Sequence, residues 1–291
     1  MSRISVTVVL YSFAWLSTLC PLFAQESPSS LVVAKQLRNA GIAFHDQQEY
    51  LKAVSAFSES LELFPHAEVY VERSWVWMDR GKVEEAIADC NRAIELDPKL
   101  SPAYFWRADC YTKMKDYSRA LDDCTTAIEF RPKEALSYMS RAKVHYMLEQ
   151  WDRAVEDIDL AIKIDSTRPI FVFRRAECNA MMKQWEAMLA DAERMITLDP
   201  NSSDAYVLRG EANLALEKIG KSCRDFAKAN VLGNLSATGR NQLASFCYSY
   251  TFEGDHDTKQ MMSLYLNLHR IQDKAIEPGA TAGLPSSATG E

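Results

Sequence analysis

The chain has 291 residues, 47% hydrophobic and 25% charged, enough to bury one large core or a long series of small ones. A net charge of -7, with no run of Lys or Arg anywhere, argues against nucleic acid as a partner. Ten glycines and ten prolines, several of them near the two ends, leave the middle as continuous helix-compatible sequence and predict an all-α protein.

In chain order, the first segment stands apart. After Arg3 an apolar stretch runs from Ile4 to Phe23, interrupted by Ser, Thr, Cys20 and Pro21, and it ends Leu22-Phe23-Ala24 before the polar Gln25-Glu26-Ser27-Pro28. Residues 1–24 read as a secretory signal cleaved after Ala24. The expected location is therefore extracytoplasmic, either periplasmic or secreted. The alternative is an uncleaved N-terminal membrane anchor, because the run approaches the length of a bilayer span. Bulky Leu19 ahead of Cys20 speaks against a lipid attached there. Residues 25–33 read as a linker.

Beyond the linker the sequence repeats itself, and repetition is tested first because it decides the fold. Ala86, Ala120 and Ala154 lie 34 residues apart, and Met188 and Ser222 continue the series. Ser74, Ala108, Ala142, Ala176 and Gly210 keep the same period, as do Ala93, Ala127, Ala161, Met195 and Ala229. Small side chains at this spacing let two helices approach closely. Pro65, Pro98, Pro132 and Pro200 each follow an apolar helix end and mark a turn. The pattern predicts helical hairpins over 34–66, 67–100, 101–134, 135–168, 169–202 and 203–234.

Within that frame the first hairpin carries Gly41, Phe44, Tyr50, Ala53 and Pro65, and the second Tyr70, Ser74, Trp77, Gly81, Val83, Ala86, Ala93 and Pro98. The third has Tyr104, Ala108, Tyr111, Tyr117, Ala120, Ala127 and Pro132; the fourth has Tyr138, Ala142, Trp151, Ala154 and Ala161, with Ser166 in place of proline. The sixth keeps Tyr206, Gly210, Phe226 and Ala229 and loses the proline. These residues resemble the tetratricopeptide repeat family over about 200 of the 291 residues. The resemblance implies a right-handed superhelical solenoid of helix-turn-helix repeats that binds a protein or peptide on its concave surface, without a cofactor.

The resemblance also carries the family's concave positions onto this chain. They fall on Trp75 and Met78 in the second repeat, Phe105 and Asp109 in the third, and Met139, Lys143 and Tyr146 in the fourth. The fifth contributes Phe173 and Glu177, and the sixth Val207. Trp75, Phe105, Met139 and Phe173 make an apolar row bordered by Asp109, Lys143 and Glu177, suited to an extended peptide or a partner helix. The alternative is that part of this row packs against the following repeat or the C-terminal helices. One branch of the family, the cochaperones that grip an acidic chaperone tail, uses a Lys, Asn, Asn, Lys, Arg clamp. This chain has Arg38, Ile42, Glu72, Pro102 and Trp106 in those places, so the clamp is absent.

A hairpin cannot bury its apolar stripe alone, so its neighbours must stack on it. Met188 and Met195 stand where other repeats have small residues, which would cost roughly 1 to 3 kcal/mol each on a fixed backbone and predicts a slightly opened fifth hairpin instead. A charge ladder shares the frame. Arg73, Arg107, Arg141, Arg175 and Arg209 recur every 34 residues, and so do Asp89, Asp123, Asp157, Asp191 and Asp225. The two sets are expected to pair within or between hairpins as partly exposed ion pairs of about 0.2 to 1 kcal/mol each. The competing reading is a basic track for an acidic ligand.

Enzyme chemistry is not expected. His45, His66, His145, His256 and His269 form no metal-binding pair at helical spacing, and neither His-Glu-x-x-His nor Gly-x-Ser-x-Gly occurs. Gly220-Lys221-Ser222 lacks the upstream glycine of a phosphate loop, and Asp255-His256-Asp257 reads as a turn and helix cap. Cys90, Cys110, Cys124, Cys178, Cys223 and Cys247 read as small core hydrophobes rather than disulfide partners. Two capping helices are expected within 235–275, followed by a disordered tail over 276–291. The function expected is that of an exported adaptor or assembly scaffold. The alternative is a membrane-tethered accessory subunit of an envelope complex, with a neighbour filling the groove.

Overall fold

The computed structural model describes residues 28–233 together with Cys247. The described residues form an all-α helical repeat solenoid with no strand among them. The chain divides into two compact units, residues 1–144 and 145–291, with the boundary inside one helix. The first unit holds α1 (Pro28–Asp46), α2 (Tyr50–Leu63), α3 (Ala67–Asp79), α4 (Val83–Leu96), α5 (Ser101–Lys113), α6 (Tyr117–Phe130) and most of α7 (Ala135–Met147). The second holds the end of α7, then α8 (Trp151–Ile164), α9 (Pro169–Met181), α10 (Trp185–Leu198), α11 (Ser203–Ala215) and α12 (Ile219–Val231). No described helix is long and apolar enough to cross a membrane. The expected signal, capping helices and tail lie outside the described residues.

Two recurring turns produce the alternation. After each odd-numbered helix the backbone closes a Schellman turn. After α3, Lys82 N–H donates to Trp77 O at 2.8 Å and Gly81 N–H to Met78 O at 3.0 Å. Such a turn needs one left-handed residue, and Gly81 supplies it at φ 71°. Gln48, Lys115, Glu149, Lys183 and Glu217 take the same place in the other turns at φ between 57° and 62°, so five side chains accept a conformation that glycine adopts without strain. Between hairpins the proline carbonyl becomes an anchor. Tyr104, Tyr138 and Tyr206 donate their hydroxyls to the carbonyls of Pro98, Pro132 and Pro200 at 2.9, 3.2 and 3.2 Å.

α1 begins at Pro28, inside the segment read as a linker. Proline suits a first helical turn, and the helix is fastened where Ser60 Oγ donates to the Ala34 carbonyl at 2.8 Å. Within each hairpin the closest crossing is filled by complementary sizes. A Cβ on Gly41 would lie 2.7 Å from the Phe57 ring, and one on Gly210 would lie 2.9 Å from Phe226. Where the small partner gains a side chain the large one shrinks, as in Ser74 with Cys90 and Ala108 with Cys124, all buried. The fifth hairpin, expected to be slightly opened, packs its two helices α9 and α10 less extensively than the first, second, third and sixth pack theirs. Met188 and Met195 are nevertheless only 1% and 3% exposed, so both thioethers are taken up in the core.

The charge ladder is deeper than its sequence suggests. In the first unit Arg73 donates to both oxygens of Asp89 at 2.8 and 2.6 Å, and Arg107 to both of Asp123 at 2.8 and 2.7 Å. In the second, Arg175 binds Asp191 and Arg209 binds Asp225 in the same way. All four aspartates are buried while the arginines keep 19 to 28% of their side-chain surface in water, so the pairs are partly exposed, as expected, on the arginine side alone. Four of the five ladder arginines also reach back one hairpin. Arg73 Nη1 donates to Ser58 Oγ, Arg107 Nη1 to Asn91 Oδ1, Arg141 Nη1 to Thr125 Oγ1 and Arg175 Nη1 to Asp159 Oδ1. The ladder is thus occupied by the fold's own acceptors. That disposes of a basic track along these arginines.

Cys223 and Cys247 are joined in a disulfide with Cα atoms 5.7 Å apart, which corrects the expectation that both are simple core hydrophobes. Cys247 is buried against Phe226 and Ala229, so packing brings the two sulfurs together. Cys90, Cys110, Cys124 and Cys178 are buried, as small hydrophobes would be. Burial pushes the Cys90 thiol up to about 12 and the Cys178 thiol to about 11, leaving both unreactive near neutral pH.

Candidate functional site

In the first unit, the odd-numbered helices carry a cluster of large rings around Trp75 on α3. Trp75 is 38% exposed. His45 of α1 lies on one side with ring centroids 4.0 Å apart, and Trp106 of α5 stacks on the other at 5.8 Å. Phe105 meets Trp106 edge to face at 5.2 Å. A half-open tryptophan gripped between two rings presents rigid apolar area, and such residues dominate binding energies at interfaces.

Ion pairs one repeat apart frame the rings. Arg38 donates to Glu72 through Nε at 2.8 Å and also reaches Glu68 at 3.1 Å. His45 Nε2 lies 2.8 Å from Asp79 Oδ2, and Lys143 Nζ is 2.7 Å from Asp109 Oδ1. The Glu72 hydrogen bonds hold the Arg38 guanidinium above its ordinary range. These three contacts each set an acid against a basic or imidazole group one repeat away.

The structure separates the expected site residues. Trp75 and Lys143 are exposed, and Phe105, Asp109 and Met139 are half-buried. Met78 is 3% exposed and accepts from the Cys110 thiol at 3.1 Å in a core cluster with Ala86, so it is not a contact residue. Its place on the helix faces the next first helix, which a position rule does not distinguish from the open face. His45 and Trp106 were absent from the expected set. The usable signal was their spacing: His45 precedes Asp79 by 34 residues, and Trp106 adjoins Phe105.

In the second unit Tyr146, Phe173, Glu177 and Val207 converge on one cavity of about 310 Å³. Met188 and Leu208, both buried, also line it, and Asp204 and Glu211 of α11 add two carboxylates. The Tyr146 ring packs edge to face on Trp151 at 4.7 Å. Desolvation raises the Tyr146 hydroxyl, with the neighbouring Glu177 charge adding to the effect. A second cavity of about 440 Å³ lies among α10, α11 and α12, lined by Glu193, Tyr206, Arg209, Lys221 and Lys228 among others. Arg209 there is committed to Asp225. Among the described residues no three His, Cys, Asp or Glu side chains are gathered as metal ligands would be. The Asp255-His256-Asp257 stretch lies outside the described residues.

Comparison with known proteins places these observations. Family models described as tetratricopeptide repeat match residues 38–101 and 101–134. A DnaJ homolog subfamily C member 7 homolog of Dictyostelium discoideum is 29% identical over 102 residues, covering 31% of this chain and 19% of that protein. A Protein SGT1 homolog of Oryza sativa subsp. japonica is 30% identical over 88 residues, covering 30% of this chain and 24% of that protein. The match therefore spans a quarter or less of either relative. Among solved structures, pilF of Pseudomonas aeruginosa superposes with a TM-score of 0.64 at 11% identity, covering 74% of this chain and 99% of that one. A tetratricopeptide repeat protein of Parabacteroides merdae gives 0.54 at 22% identity, covering 72% and 83%. YrrB, described as having an unusual peptide-binding site, gives 0.52 at 21% identity, covering 62% and 93%.

Proposed function

Since the chain belongs to the tetratricopeptide repeat family, whose repeats form protein–protein interaction modules, we propose that it is an exported, non-catalytic adaptor or assembly scaffold. It holds a peptide or partner helix on the faces of its odd-numbered helices. The observation that carries the reading is Trp75, left 38% exposed although Trp106 and His45 grip it from both sides. An apolar ring that the fold immobilises without covering is ordered before binding, so a partner meets little entropic penalty there.

Two further observations support parts of the reading. Arg38, at the first place of the cochaperone clamp, is engaged by Glu72 and Glu68, which leaves no free cation for an acidic tail. The Cys223–Cys247 disulfide suits an oxidising compartment outside the cytoplasm.

Two measurements test the proposal. A photo-crosslinking residue at position 75 should capture a partner from the envelope fraction, and Trp75→Ala with Phe105→Ala should weaken that partner's binding at least tenfold with no loss of helical circular dichroism. Retained affinity in the double variant would sink the site. Fractionation with N-terminal sequencing should find a soluble protein beginning at Gln25. Recovery in the membrane with residues 1–24 intact would favour the tethered subunit instead.

A further inference from the structure

In the first unit, three contacts one repeat apart on the odd-numbered helices join a basic or imidazole group to a carboxylate: Arg38 with Glu72, His45 with Asp79, Lys143 with Asp109. One acidic pair in the second unit has no such contact. Glu177 of α9 and Glu211 of α11 are also 34 residues apart, and both are acidic. Both line the 310 Å³ cavity, and Asp204 joins them. Glu177 is held by Arg174 on its own helix at 2.7 Å. Glu211 and Asp204 have no ion-pair partner among the described residues.

The surroundings sharpen the imbalance. Phe173, Val207 and Leu208 give the cavity apolar walls, and Met181 beside them is exposed. Desolvation raises the Glu211 carboxyl above its ordinary range with no basic group to offset it, although the residue as a whole stays exposed. A carboxylate in that position is stabilised by any cation that replaces lost water. The described carboxylates are not gathered as metal ligands would be, so the fitting cation is an extended one.

We propose that this cavity is a specificity pocket for a lysine or arginine side chain carried beside an apolar side chain on a segment of the partner protein. The inference rests on the scaffold reading above and deepens it. The carboxylates attract the charged head, while Tyr146 lines the same cavity and suits its aliphatic stem; Arg174, 5.6 Å over the Phe173 ring and paired with Glu177, already shows a guanidinium held by this kind of surface. Opposite charge at such a pocket acts chiefly on specificity and on the rate of encounter.

Fluorescence polarisation on the full chain tests this with two synthetic peptides of the same Leu and Ala frame, one bearing Arg at intervening positions and the other Glu. The Arg peptide should bind and the Glu peptide should not, and raising salt from about 50 to about 500 mM should weaken binding severalfold. Glu177→Gln with Glu211→Gln should reduce affinity for the Arg peptide about tenfold, equivalent to ~1.4 kcal/mol. Thermal melts by circular dichroism establish that the variant folds.

Equal binding of both peptides would overturn the cation preference while leaving a groove. Loss of Arg-peptide binding in Trp75→Ala but not in the glutamate variant would move recognition to the first unit and overturn the pocket. Binding of neither peptide would overturn the pocket, while crosslinking at position 75 judges the scaffold reading separately. A synthetic peptide of residues 257–274 that displaces the Arg peptide at lower concentration would assign the cavity to the chain's own C-terminal residues, overturning a partner in trans.

Discussion

The Arg107 side chain keeps 20% of its surface in water, and its partner Asp123 keeps 8%. Removing a guanidinium from such a pair leaves a buried carboxylate unmatched, which costs more than the pair contributes. Arg107→Ala should therefore destabilise the protein by about 3 kcal/mol, the low end of the range for broken buried pairs because the arginine is partly wet. A chemical denaturation midpoint checks this, and a change below about 1 kcal/mol would restore the surface-pair reading. Glu211 is expected to behave in the opposite sense. Its folded-state pKa is raised, so it favours folding only at acid pH, and that contribution is lost as pH rises through the folded value. Glu211→Gln should thus raise stability at neutral pH, with the gain fading as pH falls below the carboxylate range. If the same variant also loses the Arg peptide, the carboxylate is kept for binding rather than for folding. The pairing of arginines with aspartates was legible because both series share one period. Their depth was not, since burial depends on how tightly each hairpin closes.

At the scale of elements, helix spacing and turn positions were readable from small residues and prolines, because steric closeness and the missing proline N–H act locally. The sizes at each crossing were harder. Gly41 opposite Phe57 and Gly210 opposite Phe226 share a volume that neither residue announces alone. The left-handed turn residues offer a clean test of local strain. Nothing lies within 4 Å of a Cβ built on Gly81, so Gly81→Ala changes only the backbone preference and should cost about 1 kcal/mol. Lys115→Gly, in the equivalent turn, should stabilise by about 0.5 kcal/mol, since glycine's own entropy offsets part of the relief. Paired thermal melts measure both, and a destabilised Lys115→Gly would show that the turn carries no strain.

For the molecule as a whole, the all-α repeat architecture was written in the sequence because each hairpin obeys the same short-range rules. The disulfide was not, since the six cysteines that follow Cys20 allow 15 complete pairings and sequence favours none. It closes a loop between positions 24 apart, and a bridge of that span is worth about 3 to 4 kcal/mol in the chain-entropy picture. Cys223→Ser with Cys247→Ser should lower stability by about that amount, and a reductant should affect the wild type alone. Non-reducing mass spectrometry that found six free thiols would remove both expectations. The site divides along similar lines. Position rules placed Tyr146, Phe173, Glu177 and Val207 on faces that meet in one cavity. They misplaced Met78 and passed over His45 and Trp106, because a helix face becomes open or covered only through its neighbour.

The backward reach of the ladder arginines sets a direction of assembly. Each of Arg73, Arg107, Arg141 and Arg175 binds a polar group on the hairpin before it. The first hairpin has Ala40 and Ala56 where later ones have the arginine and aspartate. A chain synthesised from its N-terminus therefore delivers each new hairpin together with its own latch, onto a surface that is already in place. Growth in that order never leaves a latch waiting for its catch, whereas growth from the other end would expose one charged arginine after another until the preceding hairpin arrived.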